Sequence, residues 1–309
     1  MKTRKQAERE IASSKMILRS NAVVSIKMKL SKIKRLNMNE VKEWLVEIKR
    51  KYGKLSGEQL KMIALLFMLL DHVGYRMTLD NLVDNTKLWI SIGETFRVFG
   101  RIAFPIFAFM VAEGFRHTSD RKRYAIRMLV FAVISEIPFD MLRNYSMQKN
   151  YIMHKNNDYS RLFDMSGQNV MFTFFLAIVM LTFIEEYKLK KTTYYAYFEY
   201  VYVIAFGIVA YLVKCDYHYF GILLVWFFYK FVDEFYICAI LVALMYFIQG
   251  EYMGAASLIP IFLYNGKRTN KLMSSGESKI HKYFFYVFYP LHMLILSFLF
   301  SSTIIYGGH

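Results

Sequence analysis

From Leu60 onward the chain is a succession of apolar stretches, each long enough, or nearly so, to cross a hydrocarbon core about 30 Å thick. They cover roughly 60–79, 98–115, 124–142, 170–186, 197–214, 219–232, 235–249, 252–264 and 283–305. In lipid a backbone must satisfy its N–H and C=O groups internally, so runs of this length imply helices. Composition points the same way, since a 309-residue chain that is 56% hydrophobic and 18% aromatic is too apolar for an ordinary soluble domain. The expected fold class is therefore all-α, a polytopic transmembrane helical bundle of about nine spans. The segment 219–264 is the least constrained, because its three short runs have few charges between them and could include a re-entrant piece.

Charge sets the orientation. Of 40 Lys and Arg, 16 fall in residues 1–57 against five acidic residues there, so most of the net +16 precedes the first span. By the positive-inside rule the N-terminus is cytoplasmic. The basic connections 116–123 (RHTSDRKR), 187–193 (YKLKKTT) and 265–282 then fall on the same side. The chain divides into a basic extension, 1–57, and a transmembrane domain, 58–309. Within the extension, Val41, Trp44, Leu45, Ile48 and Tyr52 share one face of an amphipathic helix over 39–52. That helix suits either an anionic lipid surface or the protein's own cytoplasmic face. A basic excess confined to a tail and short connections speaks against a nucleic-acid partner, whereas membrane lipid is expected.

Residues 5–20 have no apolar core, so no cleavable signal is expected. The two cysteines, Cys215 and Cys238, form no disulfide framework, and no His-x-x-x-His or His-Glu-x-x-His pair occurs, so no metal is expected.

Function has to be read from the ionisable residues inside the spans, where a charge costs about 2.5–3.5 kcal/mol on insertion scales. At about 1.5 Å per residue, Asp71 and His72 lie roughly 17–18 Å in from Leu60, toward the outer side. Arg97 and Arg101, at the start of the second span, and Glu136 and Asp140, late in the third, come to the same height. Glu113, Arg116 and His117 form a second layer on the inner side with Arg121, Lys122 and Arg123, and Arg127 opens the third span.

Adjacent helical residues diverge by about 100°, so Asp71 does not orient His72, and the partner must come from another helix. Glu136 and Asp140 share a face bent by Pro138, and Arg97 and Arg101 could clamp an anion or those two acids. Each residue also has a plainer reading. Arg97 can snorkel, the acids can be structural partners of the arginines, and Arg116 and His117 can be interfacial. On the last span Tyr286, Tyr289 and His292, around Pro290, could carry a histidine to the midplane. The loop 143–169, rich in Tyr, His and Asn, is the natural place for an acceptor-binding lid.

The strings LKMIALLFMLLDHVG (60–74), FRVFGRIAFPIFAFMVAEGFRHTSDRKRYAIRMLVFAVISEIPFD (96–140) and KYFFYVFYPLHMLIL (282–296) resemble the TraX family of bacterial membrane proteins, known for an enzyme that N-acetylates pilin. The resemblance is close over about 60–142 and returns at IFLYNGKR and the last span. It implies a multi-pass protein of the bacterial cytoplasmic (inner) membrane that transfers an acyl group, chiefly acetyl, from acyl-CoA to an amine or hydroxyl acceptor. A pilin-like peptide, a lipid or an envelope glycan would qualify.

Under that implication His72 is the general base, with Asp71 and Glu136 or Asp140 in support, Arg101 on the oxyanion and His292 as reserve base. The donor phosphates would meet Arg116, Arg121, Lys122 and Arg123. Arg97, Glu113, His117 and Arg127 are grouped with them as donor-binding candidates. The basic extension and the outer loop depart from the family. The rival from another class is a proton-coupled transporter or channel using the same acids and histidine as a relay, and a third is a non-catalytic assembly subunit. Concentration of the polar residues in three spans, without an internal repeat, favours the enzyme.

Overall fold

A computed structural model describes residues 38–79, 87–143, 166–189, 194–269 and 275–306. Most of the loop 143–169, where a lid is expected, and most of the basic extension lie outside the described residues. Among the described residues the protein is all-helical, with only two isolated bridges, Leu55 to Tyr264 and Gln168 to Cys215. It divides into one unit ending at Gly53 and a second over Lys54–His309.

In the first unit, α1 (Met38–Tyr52) is the expected amphipathic helix. Val41, Leu45 and Ile48 line its less exposed stripe, whereas Trp44 and Tyr52 of the expected face are exposed, as are the lysines and glutamates around them.

The second unit contains α2 (Gly57–Leu79), α3 (Lys87–Gly100), α4 (Ala103–His117), α5 (Arg121–Arg143), α6 (Val170–Leu189), α7 (Tyr195–Leu212), α8 (His218–Lys230) and α9 (Phe235–Gln249). A 3-10 helix (Tyr252–Ser257), the short α10 (Leu258–Phe262) and α11 (Ser275–Tyr306) complete it. Among the described residues three helical stretches are long and apolar enough to cross a membrane: Lys87–His117, Val170–Leu189 and Tyr283–Phe300. The 23-residue helices α2 and α5 have the length. What they lack is apolarity, because they carry most of the charges discussed below. The uncertain segment 219–264 resolves into two helices of 13 and 15 residues and the 3-10/α10 piece.

Local chemistry sets the helix starts. Ser56 opens α2 in a capping box: its Oγ accepts from Gln59 N at 3.3 Å, and its own N–H donates to Gln59 Oε1 at 2.9 Å. Asp120 caps α5 through Arg123 N, at 2.8 Å. The second expected span begins earlier than its apolar run, at Lys87, and is interrupted at Arg101 and Ile102. Pro105 has no N–H for the Arg101 carbonyl, and the chain tightens locally, with Ile102 N donating to Phe99 O at 3.1 Å. Arg101 therefore sits at a turn inside an apolar stretch.

Helices α2 and α3 pack at backbone distance. A Cβ on Gly74 would lie 2.5 Å from the Gly93 carbonyl oxygen, and one on Gly100 would lie 2.3 Å from Asp71 Cβ. Small residues allow this approach, as in other membrane helix pairs. Gly74→Leu cannot be relieved by side-chain motion, since the obstacle is backbone. It is expected to cost about 1–3 kcal/mol or more, seen as a lowered unfolding midpoint in detergent. Exposed Leu66→Ala should leave the midpoint nearly unchanged.

Candidate active site

Near the end of α2 the bundle opens into a cavity of about 400 Å³, here called distal. It brings together Asp71, His72 and Tyr75 of α2, Arg97 of α3, Arg101 at the turn and Arg143 closing α5. The sequence-derived trio of Asp71, His72 and Arg101 thus shares one cavity.

His72 takes its partner from another helix. Its Nδ1 lies 2.6 Å from His292 Nε2, and the two rings are within 7° of coplanar. The other nitrogen of His292, Nδ1, lies 2.8 Å from the Phe288 carbonyl. A carbonyl only accepts, so His292 Nδ1 carries the proton and donates. In the neutral ring Nε2 is then the acceptor, and it receives the proton of His72 Nδ1. By elimination His72 Nε2 holds a lone pair. His292 does not line the cavity itself; it stands behind His72 and sets its tautomer.

Asp71 lies in the fields of both Arg101 and Arg97, and its Oδ1 is buried without a hydrogen-bond partner. Arg101 pairs through Nε with Glu251 Oε1 at 3.2 Å, and its Nη1 reaches Tyr217 OH at 3.5 Å. Arg97 stacks over the Tyr75 ring, 5.2 Å from its centroid.

Glu136 and Asp140 are buried, at 5% and 1% exposure, yet neither lines the cavity. Nor does Glu136 meet the expected arginines. Its Oε2 accepts from Asn169 Nδ2 at 2.5 Å and from Asn169 N at 3.2 Å. Asn169 in turn caps α6 by accepting from Met171 N at 3.0 Å. Glu136 thereby ties α5 to the N-terminus of α6, where a negative charge is favoured.

Several site residues were not singled out from sequence. Arg76 is fully buried, with Nη1 donating to the Leu142 carbonyl at 3.2 Å. It falls one turn beyond His72, and that spacing was the available signal. Lys214, Asp216, Tyr217 and His218 reach the cavity from the α7–α8 connection. Lys214, Tyr217 and His218 have φ of 58°, 59° and 41°, left-handed conformations in residues other than glycine. Such conformations cost of order 1–3 kcal/mol each and persist where surroundings enforce them. Here Gln168 pins the connection, donating to Lys214 O at 2.9 Å and accepting from Asp216 N at 2.8 Å. Burial, followed by the Asp71 charge, pushes the carboxyl of Asp216 up to about 6.

A second cavity of about 540 Å³, here called proximal, opens at the other end, among Gly57, Lys61, His117, Arg127 and Arg268. Phe174 lines the proximal cavity and Tyr217 the distal one. Phe104 stacks on both, at centroid distances of 5.7 and 3.5 Å, so an aromatic partition separates the two.

Of the donor-binding candidates, Glu113, His117 and Arg127 line the proximal cavity. The others are engaged elsewhere or face outward. Arg116 Nη2 donates to the Phe228 and Tyr229 carbonyls at 2.6 and 3.0 Å, satisfying the C-terminus of α8. Arg121 pairs with Glu185 at 3.3 Å, Arg123 with Asp120 at 3.2 Å, and Lys122 is exposed. Among the described residues no group of three or more His, Cys, Asp or Glu could hold a metal ion.

An all-helical bundle with apolar, span-length helices and a buried cluster of histidine, carboxylate and guanidinium groups defines a helical membrane protein with a polar site in its interior. The chain belongs to the TraX protein family, whose match covers residues 56–300. It is also 34% identical over 130 residues to a probable fimbrial assembly protein, FimC of serogroup H1, from Dichelobacter nodosus. That alignment takes in 41% of this chain and 45% of the relative's length. No solved structure matches the chain.

Proposed function

We propose that the protein is a membrane acyltransferase that moves an acyl group, chiefly acetyl, from acyl-CoA to an amine or hydroxyl acceptor in the distal cavity. The observation that carries this reading is the ordered pair of histidines. The Phe288 carbonyl fixes His292, His292 fixes His72, and the lone pair of His72 Nε2 is left beside Asp71 and Arg101.

In the reaction, the acceptor N–H or O–H gives its proton to His72 Nε2 as its heavy atom attacks the thioester carbonyl. The unpartnered Asp71 Oδ1 receives a hydrogen bond from the acceptor and orients it. Arg101 stabilises the oxyanion of the tetrahedral intermediate. Collapse breaks the carbon–sulfur bond, and the thiolate takes the proton back from the His72 imidazolium. Glu136 and Asp140 act as scaffold for this site.

The reading places nine crossings in a bacterial inner membrane, with the basic N-terminus and proximal cavity cytoplasmic and the distal cavity facing outward. The fimbrial assembly role named for the D. nodosus relative favours a pilin-like peptide as acceptor, with an envelope glycan as the other class.

The test is transfer of radiolabel from acetyl-CoA to envelope fractions by purified protein in detergent. Label should pass with the wild type and fail with His72→Ala. Two cavities divided by a thin aromatic partition also suit a proton-coupled transporter, the second reading. That reading requires no transferred label, together with a proton flux in vesicles that His72→Ala abolishes.

A further inference from the structure

The proximal cavity poses a charge problem of its own. Arg127 lies six residues into α5, about 9 Å along the helix from Arg121. Its guanidinium sits over the Tyr124 ring at 5.8 Å and hydrogen-bonds the Tyr286 side chain, while its Nε is buried with no hydrogen-bond partner. Among the described residues no carboxylate pairs with it. Glu113, the carboxylate on the cavity wall, is taken by Arg116 at 3.6 Å and His117 at 3.2 Å. Lys61, over the Phe285 ring, and Arg268 add positive charge around the same space. A guanidinium held at this depth with no carboxylate beside it among the described residues is costly, and an anion in the cavity would offset that cost.

The shape narrows the anion further. Beyond these cations the walls include Tyr124, Tyr264 and Tyr286 and a flexible apolar stretch of Met110, Met128, Met171, Phe107 and Phe174 that reaches the Phe104 ring. A small inorganic anion would fill the mouth and leave that lining empty. A cavity of about 540 Å³ with cations and methionines in its wall suits a ligand with an anionic head and an apolar arm.

Resting on the acyl-transfer reading above, we propose that this cavity seats the phosphorylated head of the acyl donor. Arg127 is its principal counter-charge, with Lys61 and Arg268 beside it, and the thioester arm points along the methionines toward Phe104. Phosphate chemistry suits a guanidinium fork held against an aromatic ring. The seat differs from the exposed run Arg121, Lys122 and Arg123, where two of the three side chains already pair with carboxylates.

The test is binding of coenzyme A itself to the full-length protein in detergent, by calorimetry, with unfolding midpoints taken alongside. Arg127→Gln is expected to weaken binding at least about tenfold, which is the loss of about 1.4 kcal/mol. Leu66→Ala, on an exposed helix face, should bind as the wild type does. Met110→Trp, which narrows the arm channel and leaves every cation in place, should also weaken binding. It keeps the test decisive if Arg127→Gln does not fold.

Undiminished binding by both cavity variants, with loss in Lys122→Gln instead, would overturn the seat while leaving the donor reading intact. Acetyl transfer without any effect of either variant on binding has the same meaning. Displacement of coenzyme A from the wild type by phosphatidylglycerol, with no label transfer under any condition, would make the cavity a lipid-headgroup site and end both proposals.

Discussion

His72→Ala is expected to lower kcat for acyl transfer about 10³-fold, within the range a positioned general base contributes, while leaving the fold intact. The side chain is partly buried and its ring bonds to one residue, His292. Truncation therefore opens space without stranding a charge.

The informative comparison is with His292. His292→Leu removes the acceptor of the His72 Nδ1 proton, so the His72 ring is free to place its proton on either nitrogen and to turn. The expected loss is about 10- to 100-fold, smaller than for the base itself because His72 keeps its reach to the acceptor. His292→Gln supplies a carbonyl oxygen that accepts the same proton, and it should recover much of that loss. Rescue by glutamine but not by leucine would separate a tautomer-setting role from simple packing. If His72→Ala retained wild-type kcat in a folded, membrane-inserted protein, the base would be another group and the histidine pair would be architecture.

Much of this site was legible in the sequence because lipid makes polarity conspicuous. Asp71, His72, Arg101 and His292 stand out in apolar strings, and helical rise alone brings the first two spans to one height. The angular argument that Asp71 does not orient His72 also predicted a partner from another helix, and His292 occupies that position.

What the sequence hid is of two kinds. The first is connection geometry. Nothing in Lys-Cys-Asp-Tyr-His announces three left-handed residues, because the usual signal, glycine or asparagine, is absent. Asp216 and Tyr217 reach the site only because Gln168, far away in sequence, holds that backbone. The second is pairing. Equal depth suggested Glu136 and Asp140 for the arginines, but depth does not fix rotation about a helix axis. Rotation gave Glu136 to the cap of α6 and gave Arg101 to Glu251, an acid in a short segment whose path the apolar pattern left open. The basic run at 116–123 is drawn into protein contacts for a related reason. Arg116, Arg121 and Arg123 at this helix turn satisfy carbonyls and neighbouring acids.

Arg101→Met is the second large effect expected. If Arg101 is the oxyanion donor proposed above, its removal costs about 10²–10³ in kcat, with the acceptor KM nearly unchanged because the charge it meets develops only in the transition state. Arg101→Lys keeps the charge but loses the fork, so a lysine cannot pair with Glu251 and face a carbonyl oxygen in the same geometry. It should regain only part of the rate.

Arg101 also neighbours Asp71, and loss of activity could arise simply from an Asp71 carboxylate deprived of its counter-charge. The two causes separate in a double variant. If Arg101 serves only to balance Asp71, then Asp71→Asn combined with Arg101→Met removes both charges and activity returns toward that of Asp71→Asn alone. If Arg101 meets the oxyanion, the double variant stays at least as slow as Arg101→Met, because no donor has been put back. Glu251→Gln supplies a third comparison. It leaves the guanidinium in place but loosens one of its two anchors, so the expected loss is smaller, about tenfold, and less than additive with Arg101→Met. A rate for the Asp71→Asn, Arg101→Met pair equal to that of Asp71→Asn would reassign Arg101 from the chemistry to the electrostatics of the fold.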